Sequence, residues 1–249
     1  MGSVGRVLEA HRQTGSAVRL EWGLTGGRAI NRGCDVAVVV DVLSFTTTVT
    51  VAADRGVAVL PYRWDDANGA RAVAEANRAA LAVGRSRARP GEVSLSPSSV
   101  RAASDLHRLV LPSPNGSTIS AALAEEVPVV VAVGLRNRQA VAAWLEDRCV
   151  AVICAGERWP DGTLRPAVED LWGAGALVDA LGRPDAAPEA SAAAAAFRAV
   201  QGDVRTALRG CASGRELIDA GYPGDVDVAA ELDDSASVPV LRDGMFVAG

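Results

Sequence analysis

Residues 37–48 read Ala-Val-Val-Val-Asp-Val-Leu-Ser-Phe-Thr-Thr-Thr, and no other stretch constrains the chain as much. An apolar, β-branched run carries one carboxylate, Asp41, into three consecutive hydroxyls, Thr46, Thr47 and Thr48. A run of this kind suits a strand buried on both faces, as in a parallel sheet covered by helices. An acid at the end of such a strand is costly to bury unless it is paired, hydrogen-bonded or metal-bound. Ligands of open α/β sheets bind beyond the carboxyl ends of strands, so Asp41 is a candidate for metal or phosphoryl chemistry. Its plainer alternative is an aspartate that caps the following turn or helix.

The same grammar returns along the chain. Residues 109–111 form an apolar run that leads into Asn115, Gly116, Ser117 and Thr118, and a helix-like segment follows at 119–125. Residues 127–133 end at Gly134 and Asn137, ahead of helical periodicity at 139–145. Residues 150–154 run into Ala155, Gly156 and Glu157. If these strands are parallel neighbours, their loops meet on one rim and assemble a site from scattered pieces. The expected fold is a layered α/β/α structure with a mostly parallel or mixed central sheet. It forms a single domain over 1–249, with room for two sub-lobes that break near 182–188.

Hydrophobic residues make up 49% of the 249 residues and charged ones 22%, which is a globular profile. The net charge of −5 and the lack of a dense basic patch speak against nucleic acid. Arg85, Arg87 and Arg89 are the local exception, either a solvated loop or an anion-recruiting one. Cys34, Cys149, Cys154 and Cys211 form no CxxC pair and read as buried thiols of a reducing compartment. Cys154, at a strand end, reads as packing rather than as a nucleophile. His11 and His107 supply little for a zinc centre or a Ser-His-Asp triad. Residues 1–15 lack an apolar leader core, and apolar runs of seven to nine residues fall short of the roughly 20 that span a bilayer. The expectation is a cytoplasmic protein without a membrane partner, with room for a homodimer.

Further elements follow from periodicity and punctuation. Residues 4–12 are amphipathic, 17–22 alternate as a half-buried strand, and 23–27 read as a turn. A helix is expected at 49–53, a strand at 57–62, and a helix at 65–82 capped by Asp65 or Asp66. The Pro/Gly/Ser/Arg loop at 84–99 is too long for a neutral connector. Helices are expected from 169 to 181, from 189 to 208 and from 216 to 220. The tail from 238 to 247 reads as a hairpin turning at Asp243 and Gly244. The five tryptophans read as core or interface, with Trp159 beside the pocket.

Six motifs in the same order resemble those of the 2-phosphosulfolactate phosphatase family, over roughly 22 to 245. They are the strand-acid-hydroxyl block at 38–48; Asn115, Gly116 and Ser117; Gly134 with Asn137; residues 153–156 with Glu169 and Asp170; residues 213–217; and residues 238–244. The resemblance implies a magnesium-dependent phosphatase acting on a small anionic phosphate ester, in chemistry like that of coenzyme M biosynthesis. It implies roles for Asp41, Glu157 and Glu169 in catalysis, with Asp41 and Asp170 at the metal. Asp41 is expected either to ligate magnesium or to attack phosphorus. Thr46, Thr47, Thr48, Asn115, Gly116, Ser117, Asn137 and Arg85 are expected to bind substrate.

The chain also departs from that family. Ser44 and Phe45 stand where the family has Arg-Ala, Leu95 stands for an asparagine, and Thr118 stands for a second arginine. Serine and threonine cannot copy the bidentate fork of a guanidinium. Arg85, Arg87, Arg136 and Arg138 are the candidates to replace it, and the substrate is expected to be less charged or more apolar than phosphosulfolactate. The competing reading is a non-catalytic binder of a phosphorylated metabolite derived from the same family.

Overall fold

A computed structural model describes residues 8–64, 66–89 and 91–249. The expected features at 4–7 and at Asp65 lie outside the described residues. Strand β1 (Val18–Trp22) leads into helix α1 (Gly23–Ile30), and β2 (Val36–Val40) into α2 (Phe45–Asp54). Then come β3 (Ala58–Arg63), α3 (Ala67–Asn77), β4 (Ala80–Leu81), α4 (Pro97–Ala102), β5 (Arg108–Ser113) and α5 (Gly116–Leu123). The chain continues with β6 (Val129–Val133), α6 (Arg138–Leu145), β7 (Val150–Cys154) and a small ribbon of β8 (Glu157–Arg158) with β9 (Leu164–Arg165). Helices α7 (Val168–Leu181), α8 (Pro188–Arg198), α9 (Val204–Gly210), α10 (Ala212–Asp219) and α11 (Pro223–Ala229) precede the hairpin of β10 (Pro239–Arg242) and β11 (Met245–Ala248).

The described strands form a nine-stranded mixed sheet, ordered β1-β7-β2-β6-β10-β11-β3-β5-β4, with β8 and β9 apart. Alternation along β2 explains its central place. Val36, Val38 and Val40 point into one core with helices α6, α7 and α8, while Ala37 and Val39 point into another with α2 and α5. All five residues are buried.

Within each half the strands are parallel, but the halves oppose one another. Strands β1, β7, β2 and β6 run together, β10 is antiparallel to β6 and to β11, and β11 is antiparallel to β3. Strands β3, β5 and β4 are again mutually parallel. The core around α2 and α5 takes residues from both halves, Val39 and Ile153 from one, Val59, Leu109 and Leu111 from the other. The sheet therefore coils around these helices, and coiling brings the ends of β2 and β5 together. Strands β2, β6 and β7 are the parallel neighbours that the sequence predicts, and it is β5 that reaches their rim from the opposed half. The closing hairpin turns at Asp243 (φ 50°) and Gly244 (φ 78°), the left-handed pair a two-residue turn demands.

Four local expectations need correction. Residues 23–27 are the first turns of α1, because Leu24, Gly27 and Ile30 share an inward face that outweighs the glycine content. The expected helix at 65–82 stops at Arg78 in the left-handed region (φ 50°), and Ala80–Leu81 joins the sheet instead. Asp66 caps its start by accepting from Gly69 N at 2.8 Å. The expected helix at 189–208 breaks at a 3₁₀ turn, Gln201–Asp203, after which Asp203 caps α9 through Thr206 N at 3.1 Å. Helix α2 begins at Phe45, so the three threonines lie in its opening turns rather than ahead of it.

Candidate active site

Strand β2 delivers Asp41 to the rim, and the threonines fix it there. The Thr46 hydroxyl donates to Asp41 O at 2.8 Å, Thr47 to Val42 O at 2.8 Å, and Thr48 to Ser44 O at 2.7 Å. All three are fully buried. They were expected to bind substrate; instead these hydroxyls close the turn on which the acid sits. The Asp41 carboxylate accepts one main-chain N–H on each oxygen, from Phe45 at 3.1 Å and from Gly116 at 2.9 Å.

Helix α5 contributes that second donor. Ser117 turns its hydroxyl inward to Leu111 O at 2.6 Å and accepts from Tyr62 N. Asn115 makes no side-chain cap, and its Nδ2 donates to Glu157 Oε2 at 3.0 Å. Asn137, also expected at the substrate, is buried and braces its own turn, accepting from Gly134 N and donating to Ala132 O and Ser237 O.

The acids gather here from the exits of β2 and β7 and from the first turn of α7. Asp170 accepts from Val42 N at 2.7 Å and from Gly156 N at 2.8 Å, stitching the β2 exit to the β7 exit. Glu169 is buried beside Cys211, and its Oε2 has no hydrogen-bond partner. Burial pushes the Asp41 carboxyl up to about 6, opposed by its two N–H donors and by Arg85, and reinforced by Glu169. Glu157 is pushed up to about 7 by burial and then by Asp41, with Arg165 opposing. Burial, then Asp41 and Glu169, holds Asp170 well above the carboxylate range. Cys154 is enclosed, its thiol raised by burial, as a packing residue would be.

Asp41 and Glu157 face a cleft of about 220 Å³ lined also by Ser44, Phe45, Trp64, Arg85 and Asn115. A second cleft of about 250 Å³ shares Asn115 and Glu157, and reaches Trp22, Thr118 and Leu164. Of the four candidate arginines, Arg85 is the one that arrives. Its Nε donates to Asp225 Oδ2 at 2.8 Å, its Nη2 donates to the Ser44 hydroxyl, and its guanidinium lies 5.9 Å from the centre of the Tyr222 ring. Arg136 is buried in ion pairs with Asp54, Glu231 and Asp234. Arg138 binds Asp233 over the Phe197 ring, and Arg87 lines a separate cleft with Arg63 and Arg71.

Reading the sequence also missed Asp225 and Trp64. Asp225 comes from a helix 140 positions away from Arg85, and no local pattern marks it. Trp64, read as core or interface, is half exposed at the cleft, whereas Trp159, expected beside the pocket, is an exposed platform for Arg165.

The profile of the 2-phosphosulpholactate phosphatase family matches residues 27–244, which take in every acid of the cluster. The chain belongs to that family. A relative from Deinococcus radiodurans named probable 2-phosphosulfolactate phosphatase is 32% identical over 221 residues, 84% of this chain and 89% of the relative. Proteins of the same name from a Synechococcus strain and from Thermotoga maritima are 34% and 26% identical, covering 83% and 86% of this chain and 87% and 92% of their own lengths. For this family member, no helix among the described residues is long and apolar enough to cross a membrane. Nor do three or more described His, Cys, Asp or Glu side chains form a group that could hold a metal ion.

Proposed function

We propose that this family member hydrolyses the phosphate ester of a small 2-hydroxy acid and uses a magnesium ion to do so. The observation that carries the reading is one cleft holding Asp41, Glu157 and Arg85, two acids with raised proton affinity beside a guanidinium. A carboxyl raised toward neutrality is suited to pass a proton in catalysis.

Arg85 receives an anionic group of the substrate. Asp225 and Ser44 already hold its side chain, so little rotamer freedom is lost on binding. Glu157 retains a proton near neutrality and donates it to the leaving alkoxide. Asp41 is the ionised partner, oriented by Phe45 and Gly116 toward the phosphoryl group, where it serves as nucleophile or as ligand to the cation.

Magnesium fits the acids present. It takes one or two carboxylates and completes its shell with water and phosphate oxygens. The unpartnered, buried Glu169 Oε2 is an acceptor in want of a cation, whereas both Asp170 oxygens already serve main-chain donors. Asp41 and Glu169 are thus a better pair to hold the ion than Asp41 and Asp170. When bound, it supplies charge neutralisation at the phosphoryl oxygens. Two carboxylates facing an anionic substrate, with the buried Glu169 raising Asp41 further, make electrostatic sense with a cation beside them, which favours the enzyme over a simple anion binder.

Since Arg85 is the arginine lining the cleft, the site suits an ester with one acidic group besides its phosphate, in the manner of phospholactate. Phosphate release from a panel of phospho-2-hydroxy acids, with magnesium and with EDTA, tests this. Metal-dependent turnover of the monocarboxylate members is expected; turnover of none, or turnover indifferent to EDTA, contradicts it.

A further inference from the structure

Cys34 and Cys149 stand 115 positions apart, yet their sulfurs face one another at 2.7 Å. Main-chain bonds hold the two segments in place. Asp35 N donates to Cys149 O at 2.9 Å, Val36 N to the same oxygen at 3.2 Å, and Cys149 N to Asp35 Oδ2 at 2.8 Å. The pair sits just ahead of β2 and β7, the strands whose far ends lead to Asp41 and Glu157. Five residues of strand separate it from Asp41, roughly 17 Å of rise. The phosphatase chemistry proposed above makes no use of it.

Both are free thiols. Cys34 is buried and Cys149 partly exposed, so a small molecule meets Cys149 first, while an open cleft of about 520 Å³ lined by Arg28, Arg32, Cys34 and Glu126 adjoins the Cys34 side of the pair. Cys154 and Cys211 differ, each enclosed in the other core layer, with main-chain carbonyls of Asp170 and Leu208 beside their sulfurs.

We propose that Cys34 and Cys149 form a reversible dithiol–disulfide pair, closed by exchange with a small-molecule disulfide of the glutathione type. The more exposed Cys149, as thiolate, attacks one sulfur of that disulfide; a mixed disulfide forms and one small thiolate leaves. Cys34 then attacks the Cys149 sulfur, displacing the second small thiolate, which takes up the Cys34 proton. Two protein thiols are oxidised to one disulfide, and one small disulfide is reduced to two thiols. Burial, then the neighbouring Cys149, raises the Cys34 thiol above its usual range, which leaves the first attack to Cys149; Cys34 enters the second step because its partner sulfur is already in place. The closing movement is under 1 Å, from 2.7 Å to the roughly 2.05 Å of a disulfide. Product reversal by a reducing glutathione pool makes the bond a sensor rather than a permanent staple.

The test is incubation of the full chain in graded mixtures of reduced and oxidised glutathione, followed by acid quench, alkylation after unfolding, and peptide mapping by mass spectrometry. The expected result is a linked pair of peptides containing Cys34 and Cys149, with Cys154 and Cys211 alkylated. Cys34→Ala is expected to stop at a stable glutathione adduct on Cys149. Four alkylated cysteines at the most oxidising ratio, an adduct on Cys149 that never resolves in the unaltered chain, or a bridge to Cys154 or Cys211 would each overturn the proposal. The map of the unaltered chain decides the matter should the Cys34→Ala protein not fold.

Discussion

The main-chain N–H of Gly116 donates to Asp41 Oδ2 at 2.9 Å, across 75 positions of sequence and between strands of opposed halves of the sheet. This bond ties the two lobes of the coiled sheet to the acid at its centre. A Cβ at position 116 would lie 2.5 Å from a ring carbon of Phe45 and 2.6 Å from Asp41 Oδ2, so only glycine allows the approach. Gly116→Ala should displace the carboxylate, lowering kcat at least tenfold and costing about 1–3 kcal/mol of stability through overpacking. Steady-state kinetics and denaturant unfolding on the same preparation check both halves of that expectation.

Arg85 should govern affinity for the second acidic group of the substrate. Removing a hydrogen bond to a charged partner costs about 1.5–3 kcal/mol, roughly ten- to a hundredfold in kcat/KM for Arg85→Ala. Phospholactate should be preferred over phosphosulfolactate by the unaltered chain. Ser44→Arg is not expected simply to add a cation, because Arg85 already occupies the Ser44 hydroxyl and a second guanidinium would repel it. Competition assays between the two esters, with each variant, decide the matter.

The two raised carboxyls give activity an acid and an alkaline limb. Activity requires Asp41 ionised and Glu157 protonated, so kcat/KM should fall as pH climbs through about 7, while the acid limb, about 6 for Asp41 without metal, should move to lower pH as magnesium is added. The two limbs belong to the interacting pair rather than to either acid alone. Glu157→Gln should lower the rate by about 10²–10⁴ and abolish the alkaline limb.

Stability should follow the same groups. A carboxyl whose folded value is raised contributes stability that is full below its ordinary value and lost as pH climbs through the folded one. Unfolding free energy without metal should therefore decline between about pH 4 and pH 7, with Asp41, Glu157 and Asp170 as contributors. Added magnesium should raise Tm at pH 7 and above, by mass action on the folded state. Glu169→Gln should remove most of that shift, a readout that needs no turnover.

Much of the frame was readable in the sequence because it is written in local periodicity. The buried run at 36–40, the strand at 150–154 and the Asp243-Gly244 turn each carry their own signal in adjacent residues. The acids were readable for a similar reason, since a carboxylate at the end of an apolar strand is conspicuous. The division of labour around them was not. Whether Thr46 faces a ligand or its own turn depends on rotamers within α2, and Ser117 and Asn137 likewise spend their polar atoms on nearby backbone. The Arg85–Asp225 pair and the Cys34–Cys149 contact depend on packing between distant segments, which no spacing rule encodes. Helix α1 escaped because its inward face is built partly of glycine, which reads as a turn.

Asp41 is the centre of the site, and Asp41→Asn is nearly isosteric but keeps one acceptor oxygen, so its amide nitrogen meets the N–H of Phe45 or of Gly116. The most direct measurement compares phosphate release from phospholactate by the unaltered chain and by Asp41→Asn, at pH 6.5 with saturating magnesium, alongside calorimetric binding of the same ester. The prediction is turnover by the unaltered chain and loss of at least a thousandfold in the variant, with the ester still bound. Retained turnover in Asp41→Asn, or tight ester binding without hydrolysis by the unaltered chain, would contradict it, the latter in favour of an anion-binding protein.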